Sequence, residues 1–280
     1  MTTTTASQAA PSAAGAGRLP TASGLTFAGI LRSEWIKLRT VRSTSWSYAI
    51  VVVISLGMAA IMSLSLDLPT GGDMPAALQT SFVVQASTFG IFFGQLVVAV
   101  LGVLVVGGEY STGMIRSTLT AVPRRLPALW AKAVVLFTAT FAVGAVANVG
   151  SFLVAAPILA GKGIHASLFD GAVIMPLLAG ALYLALAAVF ALGVGAILRN
   201  SAGGIATTLG MLLLLPIVLS MIPATWATDL MPYLISPAGA GMMASGGPAI
   251  MEPWQALLVV LGWLVVSLAG AAVLLKGRDA

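Results

Sequence analysis

Residues 171–198 read GAVIMPLLAGALYLALAAVFALGVGAIL, a run without a single charged residue. A hydrocarbon core about 30 Å thick needs about 20 apolar helical residues, so this run is long enough to cross a bilayer. Five further charge-free windows are also long enough: 43–66, 74–108, 133–161, 200–228 and 253–275. The sequence therefore predicts an all-α integral membrane protein with six transmembrane helices, at roughly 45–66, 84–107, 133–160, 172–197, 204–222 and 254–275.

The overall composition agrees with a membrane location. Of the 280 residues, 59% are hydrophobic and only 8% are charged, whereas a soluble domain carries about a quarter charged residues. The windows lack the alternation of polar and apolar residues that is typical of a transmembrane β-barrel. No nucleic-acid-binding motif accompanies the basic charge, so we expect no nucleic-acid partner. The absence of cysteine excludes disulfides and thiolate metal sites.

The basic residues predict the orientation. If the N-terminus is cytoplasmic, 12 of the 13 Lys and Arg residues fall in inner segments, and only Lys162 falls outside. Cytoplasmic loops carry such an excess of basic residues. We therefore expect a multi-pass protein of the plasma membrane with both termini in the cytoplasm.

The chain divides into three parts. Residues 1–24 are rich in Thr, Ala, Ser and Gly and are predicted to form a disordered cytoplasmic tail. Residues 25–42 are predicted to form an amphipathic interfacial helix, and residues 43–280 the six-span domain. A seventh charge-free window, 230–251, contains three prolines and four glycines, and we expect an outer re-entrant or interfacial segment there.

The apolar residues of 25–42 fall on one helical face, which suits the inner membrane surface. Trp35 is an aromatic anchor on this face, and Lys37 and Arg39 supply basic charge. Glu34 projects at the centre of the apolar face, where an unpaired carboxylate would be unfavourable. We therefore expect a basic or hydrogen-bond-donating partner on the bundle, with Arg42 or the 116–125 cluster as candidates.

The longest inner loop lies between spans two and three. Ser111 and Thr112 can begin a short helix, and Pro123 can end it. Such a helix, held directly by two spans, can transmit force from a soluble partner. Glu109 stands at the inner boundary of span two. Three roles are open for it: an exposed interfacial carboxylate, a contact with a partner, or a latch to Arg116 or Arg125.

Two inner motifs carry a family resemblance. SEWIKLRT at 33–40, followed by GEYSTGMIRSTL at 108–119 and VPRR at 122–125, resembles the permease subunit of ABC-2 type transporters. The resemblance extends over 25–280 and includes SPAG at 236–239. It implies an interfacial elbow helix and a coupling helix between spans two and three. It places the contact with an ABC ATP-binding subunit at Glu109, Tyr110, Thr112, Gly113, Arg116, Pro123, Arg124 and Arg125, with Glu109 and Arg116 preferred.

The resemblance also implies a second permease copy, as a homodimer or a related heterodimer, because six spans form half of a typical membrane domain of this kind. ATP and Mg would be used by the partner subunit, since this chain has no phosphate-binding loop and no room for an ATPase domain. We expect no cofactor or metal in this chain and no enzymatic activity, since His165 is its only histidine.

Other classes of function stay open. An ion-coupled secondary transporter also needs only helices and a cavity, but the six apolar cores contain no ionisable residue for proton coupling. A non-transporting accessory membrane protein is a third interpretation. The few polar residues at membrane depth either bond between helices or line a pathway: Gln85, Gln95, Asn148, Thr207 and Thr208. Such an apolar pathway favours export of a hydrophobic or amphipathic substrate.

Overall fold

The computed structural model describes residues 26–66, 74–111, 113, 125–244 and 251–277, and every regular element in these ranges is helical. The α-helices, in chain order, are α1 Phe27–Thr40, α2 Arg42–Ser65, α3 Ala76–Thr88, α4 Ile91–Ser111, α5 Arg125–Ala160, α6 Gly171–Leu198, α7 Ser201–Leu209, α8 Leu215–Ser220, α9 Thr225–Leu230, α10 Ile235–Gly241 and α11 Pro253–Gly277. The predicted tail 1–24 and most of the predicted coupling helix lie outside the described residues.

Within the described residues, six segments are long and apolar enough to cross a membrane, as the charge-free windows predict. Their bounds are Arg42–Ser65, Ala76–Tyr110, Leu126–Ala160, Gly171–Leu198, Ser201–Ser220 and Pro253–Leu275. These lengths meet the requirement of about 20 residues for a hydrocarbon core. The fold is therefore that of an all-α protein with six candidate membrane spans.

Helix α6 is the centre of the bundle. The most apolar part of α6 is 83% buried, and the helix packs against α4, α5, α7 and α11. Small residues permit the close approach of these neighbours. A Cβ at Gly195 would lie 3.1 Å from the Cα of Val103 in α4, and one at Gly193 would lie 2.6 Å from the hydroxyl of Ser267 in α11. Backbone contact therefore fixes the positions of α4 and α11 on α6.

The second candidate span is broken where it meets α2. The sequence predicts one helix over 84–107, whereas the structure has α3 and α4 separated by a turn at Phe89 and Gly90. A Cβ at Gly90 would lie 2.5 Å from the Cα of Ser55. The turn therefore lies where the backbone approaches α2 too closely for any side chain.

The fifth candidate span contains a π-helical turn at Gly210–Leu214, in which the amide of Leu215 donates to the carbonyl of Gly210. Pro216 follows at once and lacks an amide hydrogen, which explains a departure from α-helical bonding here. Beyond α8, the chain forms α9, a 3₁₀ turn at Met231–Tyr233 and α10. The proline- and glycine-rich window thus forms short helices over its described part, residues 230–244.

Candidate functional site at the α1 end of the bundle

Helix α1 lies across the end of the bundle and packs mainly on α5. The side chain of Thr26 accepts a hydrogen bond from the amide of Gly29, which caps the helix at its start. Ile30, Glu34 and Leu38 are the buried residues of α1, and their spacing of four residues places them on one face. Glu34 is therefore buried by the same apolar face that positions the helix.

Four charged side chains form a ring of ion pairs where α1 meets α4 and α5, and two of the four belong to α1 itself. The Nζ atom of Lys132 lies 2.7 Å from Oε2 of Glu34 and 2.8 Å from Oε1 of Glu109. The Nζ atom of Lys37 lies 2.8 Å from Oε1 of Glu34 and 3.0 Å from Oε1 of Glu109. We call Glu34, Lys37, Glu109 and Lys132 the ion cluster. It joins α1 to the last turns of α4 and the first turns of α5.

The ion cluster is electrically balanced and largely removed from solvent. Glu34, Glu109 and Lys132 are 4%, 7% and 6% exposed, while the side chain of Lys37 is 37% exposed. Burial alone would raise the pKa of Glu34, but Lys132 and Lys37 lower the pKa of this carboxyl below its ordinary value of 4.5. Burial would lower the pKa of Lys37, but Glu34 and Glu109 raise it above 10.5. Both groups are therefore held in their charged forms.

The last two turns of α4 are also held on their other side. The guanidinium of Arg199, at the end of α6, lies over the ring of Tyr110 with its Cζ 5.7 Å from the ring centroid. The Nη2 atom of Arg199 donates to the carbonyl of Leu274 in α11 at 3.1 Å. A Cβ at Gly107 would lie 2.5 Å from the hydroxyl of Ser201 in α7. The end of α4 therefore contacts α1 and α5 on one side and α7 and Arg199 on the other, and Arg199 in turn bonds to α11.

A cavity of about 450 Å³ adjoins the ion cluster, between α1, the start of α2, the end of α4 and the start of α5. All four ion-cluster residues line it, together with apolar side chains that include Leu104, Val105 and Val135. The Oε2 atom of Glu109 has no hydrogen-bond partner among the described residues. The residues that line the cavity are thus partly charged and partly apolar.

Glu34 has basic partners, as the sequence predicts, but these are lysines that the sequence does not single out as its partners. Its carboxylate pairs with Lys132 and Lys37 and not with Arg42, although Arg42 is also a described residue. Arg116 lies outside the described residues, and only the backbone of Arg125 lies within them. Trp35, at 40% exposure, and Arg39 are exposed on the single chain, so neither is buried against the bundle.

The loop residues assigned by resemblance are only partly visible. Gly113 has a positive φ of 72°, which favours glycine, and is exposed. Thr112, Arg116, Pro123 and Arg124 lie outside the described residues. Glu109 is buried in the ion cluster and bonded to Lys132 and Lys37, whereas the predicted latch to Arg116 or Arg125 falls on side chains outside the described residues.

The polar residues predicted at membrane depth fall into three groups. Asn148 donates to the carbonyl of Leu177 at 2.8 Å, and Gln95 accepts from the hydroxyl of Tyr183, so these two bond between helices. Thr208 donates within its own helix to the carbonyl of Gly204. Gln85 and Thr207 are exposed on the single chain. The interhelical interpretation therefore holds for Gln95 and Asn148.

Sequence reasoning missed three residues that the structure makes important. Lys132 is one of the twelve basic residues of the inner segments, and its position directly before an apolar window was the available signal. Arg199 is the lone charge between two such windows, and this isolation was an available signal. Tyr183, only 1% exposed, lies in the middle of a window whose apolar composition gave no reason to single it out.

Comparison with protein-family models finds no match, and comparison with curated proteins finds no significant relative. The fold and the site by themselves define a class: an all-α protein, consistent with a multi-pass membrane protein, with a buried ion cluster at one end of its bundle.

Proposed function

We propose that this chain is the permease subunit of an ATP-driven ABC-2 type transporter, coupled to a separate ATP-binding subunit. The proposal rests on the resemblance of 33–40 and 108–125 to that family and on one structural observation. Glu109 lies before the 112–124 segment and Lys132 after it; Lys132 is bonded both to Glu109 and to Glu34 of α1.

This arrangement suits the transmission of force. In the proposal the α1 end faces the cytoplasm, and an ATPase contacts the 112–124 segment. Because Glu109 and Lys132 belong to two different candidate spans, movement of the segment would shift α4 and α5 together with α1. Bistable packed interfaces can amplify such small shifts. Dimerisation of two copies would complete the substrate pathway, and a hydrophobic or amphipathic substrate would be exported.

The structure changes the role that we propose for Glu109. A residue that contacts a soluble partner is exposed, whereas Glu109 is 7% exposed and bonded to two lysines. We therefore propose that Glu109 anchors the segment, and that Arg116 is the better candidate for direct contact with the ATPase.

The proposal is tested by purifying the tagged chain from the membranes of its own cells. An ATP-binding-cassette subunit should co-purify, and reconstituted vesicles should transport substrate only with ATP. Arg116→Glu should lower transport at least about tenfold while ATP hydrolysis persists, because a charge-assisted contact between the subunits is reversed. Arg116→Lys, which keeps the charge, is the matched control and should retain most of the transport. Transport driven by an ion gradient without ATP would overturn the proposal in favour of a secondary transporter.

A further inference from the structure

The cavity beside the ion cluster contains an unsatisfied acceptor. Glu109 is more than nine-tenths buried, both lysines bond to its Oε1 atom, and Oε2 lacks a partner among the described residues. A buried carboxylate oxygen without a donor is unfavourable. Because Glu109 lines the cavity, an occupant that donates a hydrogen bond would satisfy this atom.

The charge of the ion cluster limits the kind of occupant. Two carboxylates and two ammonium groups already balance, so a simple cation or anion would leave net charge in a half-buried site. An ammonium group has three donors, and Glu34 and Glu109 take two of those of Lys37. The remaining donor of Lys37 and the free oxygen of Glu109 together match a zwitterion that carries an amine and an anionic group.

The apolar residues that line the cavity and its location point to a lipid. Leu104, Val105 and Val135 supply apolar surface beside the ions. The cavity lies where amphipathic α1 meets candidate membrane spans, which is the depth of lipid headgroups and of the first acyl carbons. A volume of about 450 Å³ is in the range of small-molecule sites.

We propose that this cavity binds the headgroup of phosphatidylethanolamine. The ammonium group donates to Oε2 of Glu109, and the phosphate accepts from Nζ of Lys37. The glycerol and upper acyl chains lie against Val105 and Val135. The site goes beyond the transport function proposed above and does not depend on it, since it requires only that the bundle be embedded in a bilayer.

The test uses the purified full chain in detergent with dioleoyl lipids, and native mass spectrometry counts the lipids that stay bound. Phosphatidylethanolamine should be retained about tenfold more strongly than phosphatidylcholine, which has the same charges but no N–H donor. Phosphatidylglycerol, which has the phosphate but no amine, should compete no better than phosphatidylcholine. Equal retention of all three lipids would overturn the proposal.

Two variants separate the site from general lipid binding. Val105→Phe adds bulk to the apolar wall and should abolish the preference, while Val266→Phe, at a 68% exposed position of α11, should keep it. Glu109→Gln replaces one of the two carboxylate oxygens, Oε1 or Oε2, by an amide nitrogen that donates and does not accept. In the folded variant, the preference for phosphatidylethanolamine over phosphatidylcholine should be weaker. A preference that survives Val105→Phe would contradict the site. Equal displacement by water-soluble glycerophosphoethanolamine would contradict a lipid ligand.

Discussion

Lys132 and Glu34 are 98 residues apart in the sequence, yet Nζ and Oε2 lie 2.7 Å apart with both side chains more than nine-tenths buried. Lys132 also donates to Glu109, so one ammonium group bridges carboxylates from two different helices. Lys37 repeats both contacts from a half-exposed position. The two lysines are therefore alike in their partners and differ in burial, which makes them a natural pair for comparison.

We expect Lys132→Met to be strongly destabilising and Lys37→Met to be mild. Loss of Lys132 leaves two buried carboxylates with a single, half-exposed cation, and breaking a buried pair in this way costs about 3–5 kcal/mol. Lys37 is screened by solvent, so its removal should cost much less. Thermal unfolding of the purified chain in one detergent measures both. Equal losses of stability for the two variants would show that burial does not decide the strength of these pairs.

The pH dependence of stability should report Glu34. Because its pKa is lower in the folded protein than the ordinary 4.5, its contribution is complete above about pH 4.5 and is lost as the pH falls through the folded value. The raised pKa of Lys37 has the opposite sign, so its contribution is complete below about pH 10.5 and is lost above it. The combined contribution of Glu34 and Lys37 to stability should thus be flat near neutrality.

Glu34→Gln isolates the acidic limb of this profile. The difference in unfolding temperature between the wild type and Glu34→Gln should be largest near neutral pH and should shrink well below about pH 4.5, where the wild-type carboxyl is protonated. A difference that stays constant across this range would mean that Glu34 does not titrate with folding.

The candidate spans were predictable because the thickness of the bilayer requires about 20 apolar residues per helix. Stretches between successive charged residues that are longer than this can be read directly from the sequence. The span predicted at 172–197 within the charge-free window 171–198 lies in α6, Gly171–Leu198. The interruption of the second span at Gly90 was not predictable, because it arises from contact with Ser55, a residue on another helix. Local composition contains no information about such a contact.

The candidate site was half predictable for a similar reason. The helical period of α1 places Glu34 on the apolar face. A buried carboxylate is unfavourable without a partner, so the sequence predicts that a partner exists. The identity of that partner depends on how α1 crosses α5, which the sequence of α1 does not determine. From the sequence, Lys132, one residue before the predicted third span, is therefore only one of the basic residues of the inner segments, although it is 6% exposed in the structure.

Gly239 should tolerate no side chain. A Cβ at this position would overlap the ring of Tyr183, which is 1% exposed and whose hydroxyl donates to Gln95. Gly239→Ala must therefore displace α10 from α6, and we expect a loss of about 1–3 kcal/mol in stability, as for other overpacked cores. Gly57→Ala is the control, because nothing lies within 4 Å of a Cβ there, and it should be neutral or slightly stabilising. Similar effects of the two substitutions, measured by thermal unfolding, would contradict the packing of α10 on Tyr183.

Arg199 combines an unfavourable backbone with favourable side-chain contacts, and substitution can separate the two. Its φ of 52° is the positive value that favours glycine, and it ends α6 while its amide donates to the carbonyl of Gly195. Arg199→Ala and Arg199→Gly both remove the contacts with Tyr110 and Leu274. Only alanine keeps the left-handed strain, which is worth roughly 1–2 kcal/mol. Arg199→Gly should therefore be the more stable variant in thermal unfolding, although both should be less stable than the wild type. An alanine variant more stable than the glycine variant would show that the left-handed cap is absent in the folded protein.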